Sequence, residues 1–264
     1  MVFEDFEYDG KRLSDFGFMI CSFEDGGMET RSSGGDLEFT TVKQDNGKHW
    51  LLTQSGYNST LTATLYICPS LCETGGIIKV TEEQNRAIMR WLNRPTFCKF
   101  KPLRWKYDTF FYGTFMVKAQ TWCGQLVGYE LEVITDRPFG LGETQEYSFS
   151  VGANETYTIN DTSDEVGFIY PEMTVKTTAA GTLRITNSIE PDRRTVINNC
   201  EAGELFTFKH PIVTTSSGAH KVQEDYNYNF PRISNTYENS VNTLTFSLPS
   251  EVTISYNPIR KVGI

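Results

Sequence analysis

Side chains that could do chemistry are few and scattered in this 264-residue sequence. Acid–base catalysis most often uses histidine, and there are three. His49 adjoins an Asn46-Gly47 turn signal, His210 precedes Pro211, and His220 stands beside Lys221 in a polar stretch. None neighbours a nucleophile motif. Glu130 and Glu132 lie two apart, hence on one face of any strand, and could imitate a glycosidase's carboxylate pair. Carboxylates are plentiful here, however, and a solvated strand face accounts for these two. Cys68 and Cys72 are the one close pair among six cysteines. No second pair completes a zinc site, so reduced, structural thiols are expected. The Asp5 to Asp9 spacing stops short of a calcium loop, and neither a nucleophile elbow, a zinc-protease helix nor a phosphate-binding glycine loop is found. The chain reads as a non-enzyme without cofactor or metal.

Composition narrows the partners. The net charge of −9 argues against specific nucleic-acid binding and against adsorption to an anionic membrane. No run of about eighteen apolar residues exists to insert into a bilayer, and residues 1–10 lack the apolar core of a secretory signal, so synthesis in a cytoplasm is expected. The length suits one large or two ordinary domains. All four tryptophans lie before Gly140, and the formal charge is −3 up to that residue and −6 beyond it. A boundary near residue 138 is therefore expected, dividing the chain into domains 1–138 and 139–264.

The elements that would position any site are mostly strands. One helix stands out, TEEQNRAIMRWLN at residues 81–93. Thr81 and Gln84 have the spacing of a capping box, Glu82 and Glu83 suit the positive end of the dipole, and Arg94-Pro95 closes it. Ala87, Ile88, Trp91 and Leu92 fall on one side of the wheel, and Arg86, Arg90 and Arg94 on the other. These arginines begin a basic run that continues through Lys99, Lys101, Arg104 and Lys106 with no acid among them, which reads as a solvated or subunit-facing surface rather than a nucleic-acid groove.

Residues 37–54 read as a long hairpin. If Asn46-Gly47 is a two-residue type I′ tip, Val42 faces Leu51 and Lys43 faces Trp50. From the residues alone it is an ordinary internal hairpin. Residues 25–35 read as a flexible surface connection, and 59–67 alternate cleanly, with Leu61, Ala63, Leu65 and Ile67 inward. Past Gly140 the strands are short and alternating, which signals a sandwich or barrel. The clearest is the last pair, Leu244, Phe246 and Leu248 set against Val252, Ile254 and Tyr256.

Several stretches together resemble the distal tail proteins of bacteriophages with long non-contractile tails. They are FEYDGKRLSDFGF (6–18), RAIMRWLNRPTFCKFKPL (86–103), GYELEVITDRPFG (128–140), TLRITN (182–187), FPRISNTYENSVNTLTF (230–246) and VTISYNPIRKVG (252–263). The resemblance implies a mainly β protein: an N-terminal β-sandwich with one helix and a projecting hairpin, then a galectin-like C-terminal sandwich. It also implies a structural virion protein of the tail tip or baseplate, made in the bacterial host cytoplasm. That protein forms a homo-hexameric ring between the tail-tube protein and the tail-tip, or tail-associated, protein, with receptor-binding or baseplate proteins on its periphery. On this resemblance the hairpin becomes an assembly arm, with Val42, Lys43, Asn46, Gly47, Trp50 and Leu52 at the subunit interface. Arg86, Arg90 and Arg94 become an interface or channel face. Neither of the two sugar-contact runs of galectins is present, and the second half has no tryptophan. A host-surface carbohydrate binder is the competing reading, with Tyr226, Tyr228 and Tyr237 as stacking faces.

Overall fold

A computed structural model describes residues 4–21, 37–43, 51–57, 60–70, 79–104 and 108–263, with the backbone path alone for 41–43 and 51–54. The expected connection at 25–35, and Cys72, Trp105 and Lys106, lie outside the described residues. The protein is mainly β. It forms two compact units, Met1–Gly142 with Arg260–Ile264, and Glu143–Ile259. The closing residues thus belong with the first unit, not with the second half of the sequence.

In the first unit an antiparallel sheet runs in the order Lys11–Arg12, Asp5–Tyr8, Cys98–Leu103, Thr109–Trp122, Gln125–Thr135, Thr62–Pro69, Phe18–Cys21. Alternation sends Phe6, Tyr8, Leu65, Ile67, Phe100, Phe115, Leu131 and Val133 to one face, where all are buried. The helix Glu82–Leu92 packs on this face, and Ile88, Trp91 and Leu92 are its buried stripe. Both halves of the capping box form, with Gln84 N–H donating to Thr81 Oγ1 at 3.1 Å and Thr81 N–H to Gln84 Oε1 at 3.0 Å. The helix is further fixed by Tyr129, whose hydroxyl donates to Asn85 Oδ1 at 2.8 Å. Burial pushes that hydroxyl's pKa up to about 12. Gly140 is required where the chain leaves this unit, because a Cβ there would lie 2.3 Å from Thr109 Cγ2.

The second unit is a sandwich. One sheet runs Gln145–Val151, Ser250–Tyr256, Glu172–Thr177, Leu205–Lys209, Ile212–Thr215, and the other Glu155–Asn160, Val241–Phe246, Gly181–Asn187, Glu190–Cys200. Both line one core, with Val175, Phe206 and Ile254 from the first sheet and Ile159, Leu183 and Phe246 from the second. The strands that the sequence sets as a final pair are therefore opposed across this core. Phe246 pairs with Glu155 in one sheet, whereas Ile254 pairs with Tyr147 and Met173 in the other. Alternation tells which side of a strand is inward, but not which strand lies beside it.

Candidate assembly surfaces

The expected hairpin exists as two strands, Leu37–Lys43 and Leu51–Tyr57, which form a two-stranded sheet of their own. Its register differs from the sequence expectation by one residue, since Val42 faces Leu52 and Lys43 faces Leu51. This register leaves an odd number of residues between partners, whereas a two-residue Asn46-Gly47 turn without a bulge needs an even number. Asn46, Gly47 and Trp50 lie outside the described residues. At the other end of the ribbon Leu37 and Phe39 are 53% and 61% exposed. Two apolar side chains on one face of a ribbon that pairs with no third strand among the described residues form a surface suited to burial by a partner.

A two-residue turn joins another pair of strands. Strands Thr109–Trp122 and Gln125–Thr135 are joined by Cys123 and Gly124 with φ of 49° and 73°. Positive φ at both positions is the type I′ signature, for which glycine and asparagine carry little strain. Trp122, beside this turn, is 64% exposed. Sequence reading missed the hairpin tip because cysteine stands where asparagine or aspartate usually signals it. Gly124 between two alternating runs was the available clue.

The arginine row separates into two environments. Arg86 and Arg90 are exposed on the helix. Arg94 lies beyond the helix end, where its Nη1 is 3.0 Å from Asp9 Oδ2 and its guanidinium sits 5.3 Å from the Tyr8 ring centre. The rest of the described basic run is engaged in a similar way. Lys101 pairs with Asp108 at 2.9 Å, Arg104 pairs with Glu4, and Lys99 lies 4.1 Å over the Phe110 ring. Two of the acids, Glu4 and Asp9, come from the N-terminal strand region, which antiparallel pairing of Asp5–Tyr8 with Cys98–Leu103 brings alongside. Arg86→Gln or Arg90→Gln is accordingly expected to cost under about 1 kcal/mol. Arg94→Gln should cost more, about 1 kcal/mol after screening of the half-exposed Asp9. Urea midpoints of the three variants give the ranking, and equal values would show that Asp9 and Tyr8 do not hold Arg94.

The groups that suggested chemistry have local partners. Glu130 and Glu132 share Lys118, whose Nζ is 2.8 Å from Glu130 Oε1 and 3.8 Å from Glu132 Oε2. Cys21, Cys68, Cys98, Cys123 and Cys200 are free thiols. Cys68 is lowered to about 7 by a hydrogen bond from Cys21, whose own pKa the same contact raises. Of the three tyrosines considered for sugar stacking, Tyr226 is buried in the sandwich core, while Tyr228 and Tyr237 are exposed. His220 is not in an open polar loop: its side chain is 3% exposed, with Nδ1 2.7 Å from Glu204 Oε1 and Nε2 3.2 Å from Asp225 Oδ2. Glu204, 1% exposed, also accepts from Glu201 N–H at 2.8 Å and from the Thr215 hydroxyl. This network ties the strand Ile212–Thr215 to the short helix Val222–Asp225.

Comparison with known proteins agrees with a structural reading. No curated protein matches the sequence. Among solved structures, the Dit protein of phage SPP1, described as a paradigm of the hub adsorption apparatus in phages infecting Gram-positive hosts, superposes with a TM-score of 0.65. The match covers 97% of this chain and 99% of that one at 11% identity, and so shows a shared fold. A chain of the phage P2 baseplate in its activated conformation with Ca matches over 97% and 98% at 9% identity, with a TM-score of 0.46. Residues 1–137 match the family described as phage tail protein N-terminal domain, and residues 139–256 the phage tail C-terminal domain. The chain belongs to this family of phage tail proteins.

Proposed function

We propose that the chain is the hub subunit of a tail tip, six copies of which close into a ring joining the tail-tube protein to the tail-tip protein. The observation that carries this reading is the ribbon of Leu37–Lys43 and Leu51–Tyr57, which pairs with no third strand among the described residues and exposes Leu37 and Phe39. A closed ring needs a heterologous contact, in which one patch of each subunit meets a different patch of the next. The ribbon is one such patch; Arg86 and Arg90 line a second contact or the channel. The fold shared with the SPP1 hub protein supports the assignment. The second unit, which we take as galectin-like, serves as a docking module for receptor-binding or baseplate proteins. Its buried Tyr226 and the missing galectin runs speak against a sugar site.

The test is oligomeric state. Light scattering should give the mass of six chains for the wild type. Replacing residues 41–52 with a short Gly-Ser turn should give a folded monomer or a mixture of small species. A variant that still forms hexamers removes the ribbon from assembly, and a wild type that stays monomeric at every concentration overturns the ring.

A further inference from the structure

An isolated two-stranded ribbon is marginally stable in water, so something must set the direction of residues 37–57. Tyr57 is the last residue of the second strand and pairs with Leu37, the first residue of the other. This pair is the root of the ribbon. The Tyr57 ring packs edge-on against Phe139, with centroids 4.7 Å apart, and Phe139 is buried. The Tyr57 hydroxyl accepts a hydrogen bond from Lys261 Nζ at 3.0 Å. That ammonium also lies 5.3 Å from the Tyr57 ring centre and 5.7 Å from that of Phe139. The next residue, Val262, packs against the core of the first unit, so Lys261 is held from below.

We infer that Lys261 is a positioning residue for the ribbon: by returning to the first unit, residues 260–262 clamp the ribbon's root and hold it in the orientation that a neighbouring copy must meet. The functional part of this inference rests on the ring reading above. The clamp itself does not. A charge-assisted hydrogen bond is stronger than a neutral one, and the cation–π contacts add to it. Phe139 supplies the fixed wall, and Tyr57 transmits the constraint to both strands through its pairing with Leu37.

The experiment uses the full chain and three variants. Lys261→Met keeps the length and apolar stem and removes the ammonium, Lys261→Arg restores a cation and donors, and Tyr57→Phe removes only the hydroxyl. Amide hydrogen exchange over residues 37–57 is measured on dilute, unassembled protein, and the concentration for half-assembly is measured by light scattering. Lys261→Met is expected to speed exchange in Leu51–Tyr57 about tenfold and to raise the half-assembly concentration about tenfold, with Lys261→Arg close to wild type. If Lys261→Met fails to fold, Tyr57→Phe carries the exchange test with the rings intact. Exchange unchanged in both Lys261→Met and Tyr57→Phe overturns the clamp, even where wild-type hexamers form. Faster exchange together with a wild type that never assembles supports the clamp and overturns the ring. The two failures are thus distinguishable.

Discussion

Trp91→Ala is expected to destabilise the first unit by about 3 to 5 kcal/mol, the range for removing a large buried ring from a packed core. The indole stacks on Phe16 at 4.4 Å and on Phe6 at 5.7 Å, and meets the edge of Tyr8 at 6.1 Å. Its Nε1 donates to the Tyr8 carbonyl at 2.9 Å. It therefore joins the helix, the Leu13–Phe16 turn and the Asp5–Tyr8 strand in one contact set, and truncation leaves both a cavity and a buried carbonyl without its donor. Trp91→Phe keeps most of the stacking and should lose about 1 to 3 kcal/mol, chiefly through that carbonyl. Tryptophan fluorescence during urea unfolding reads the first unit, since all four tryptophans precede Gly140. A cost under 1 kcal/mol for the alanine variant would mean that the helix is not held by this ring.

Glu204→Ala is the second large effect expected, about 3 to 5 kcal/mol in the second unit. The carboxylate accepts from Glu201 N–H, the Thr215 hydroxyl and His220 at once. Its removal leaves three part-buried donors without their acceptor, and His220 is left facing Asp225 alone. Glu204→Gln should be milder, about 1 to 3 kcal/mol, because its carbonyl oxygen still accepts while its amide must face one of the donors. Calorimetry of full-length protein should show an early transition that leaves tryptophan fluorescence unchanged. If Glu204→Ala melts with the wild type, water has taken the place of the carboxylate and the network does not stabilise the sandwich.

Local features were the most legible in the sequence. The helix limits follow from Thr81, Gln84 and Arg94-Pro95, and each acts within a few residues of itself. Alternation similarly placed Leu61, Leu65 and Ile67 on the buried face. What depended on distant partners was less readable. Arg94 falls beside Arg86 and Arg90 on a wheel, yet Asp9, 85 residues away, draws it off. The register of the ribbon escaped because Asn-Gly signals a turn type, whereas register is set by pairing along the whole of both strands. His220 looked like a loop residue because neither Glu204 nor Asp225 announces itself as a partner until the strands place them. The exposed Leu37 and Phe39 were readable as apolar but not as uncovered.

The return of Arg260–Ile264 to the first unit makes Glu143–Ile259 an insertion in an otherwise continuous module. For gene exchange between relatives, this changes what counts as a clean cut. A single crossover near codon 140 would import not only a foreign second unit but also a foreign residue at position 261, and so would separate Tyr57 from the lysine that contacts it. Grafting the second unit while preserving the first takes two breakpoints, one between 142 and 143 and one between 259 and 260. Chimeras built with the single cut would carry a mismatched clamp even when both halves fold.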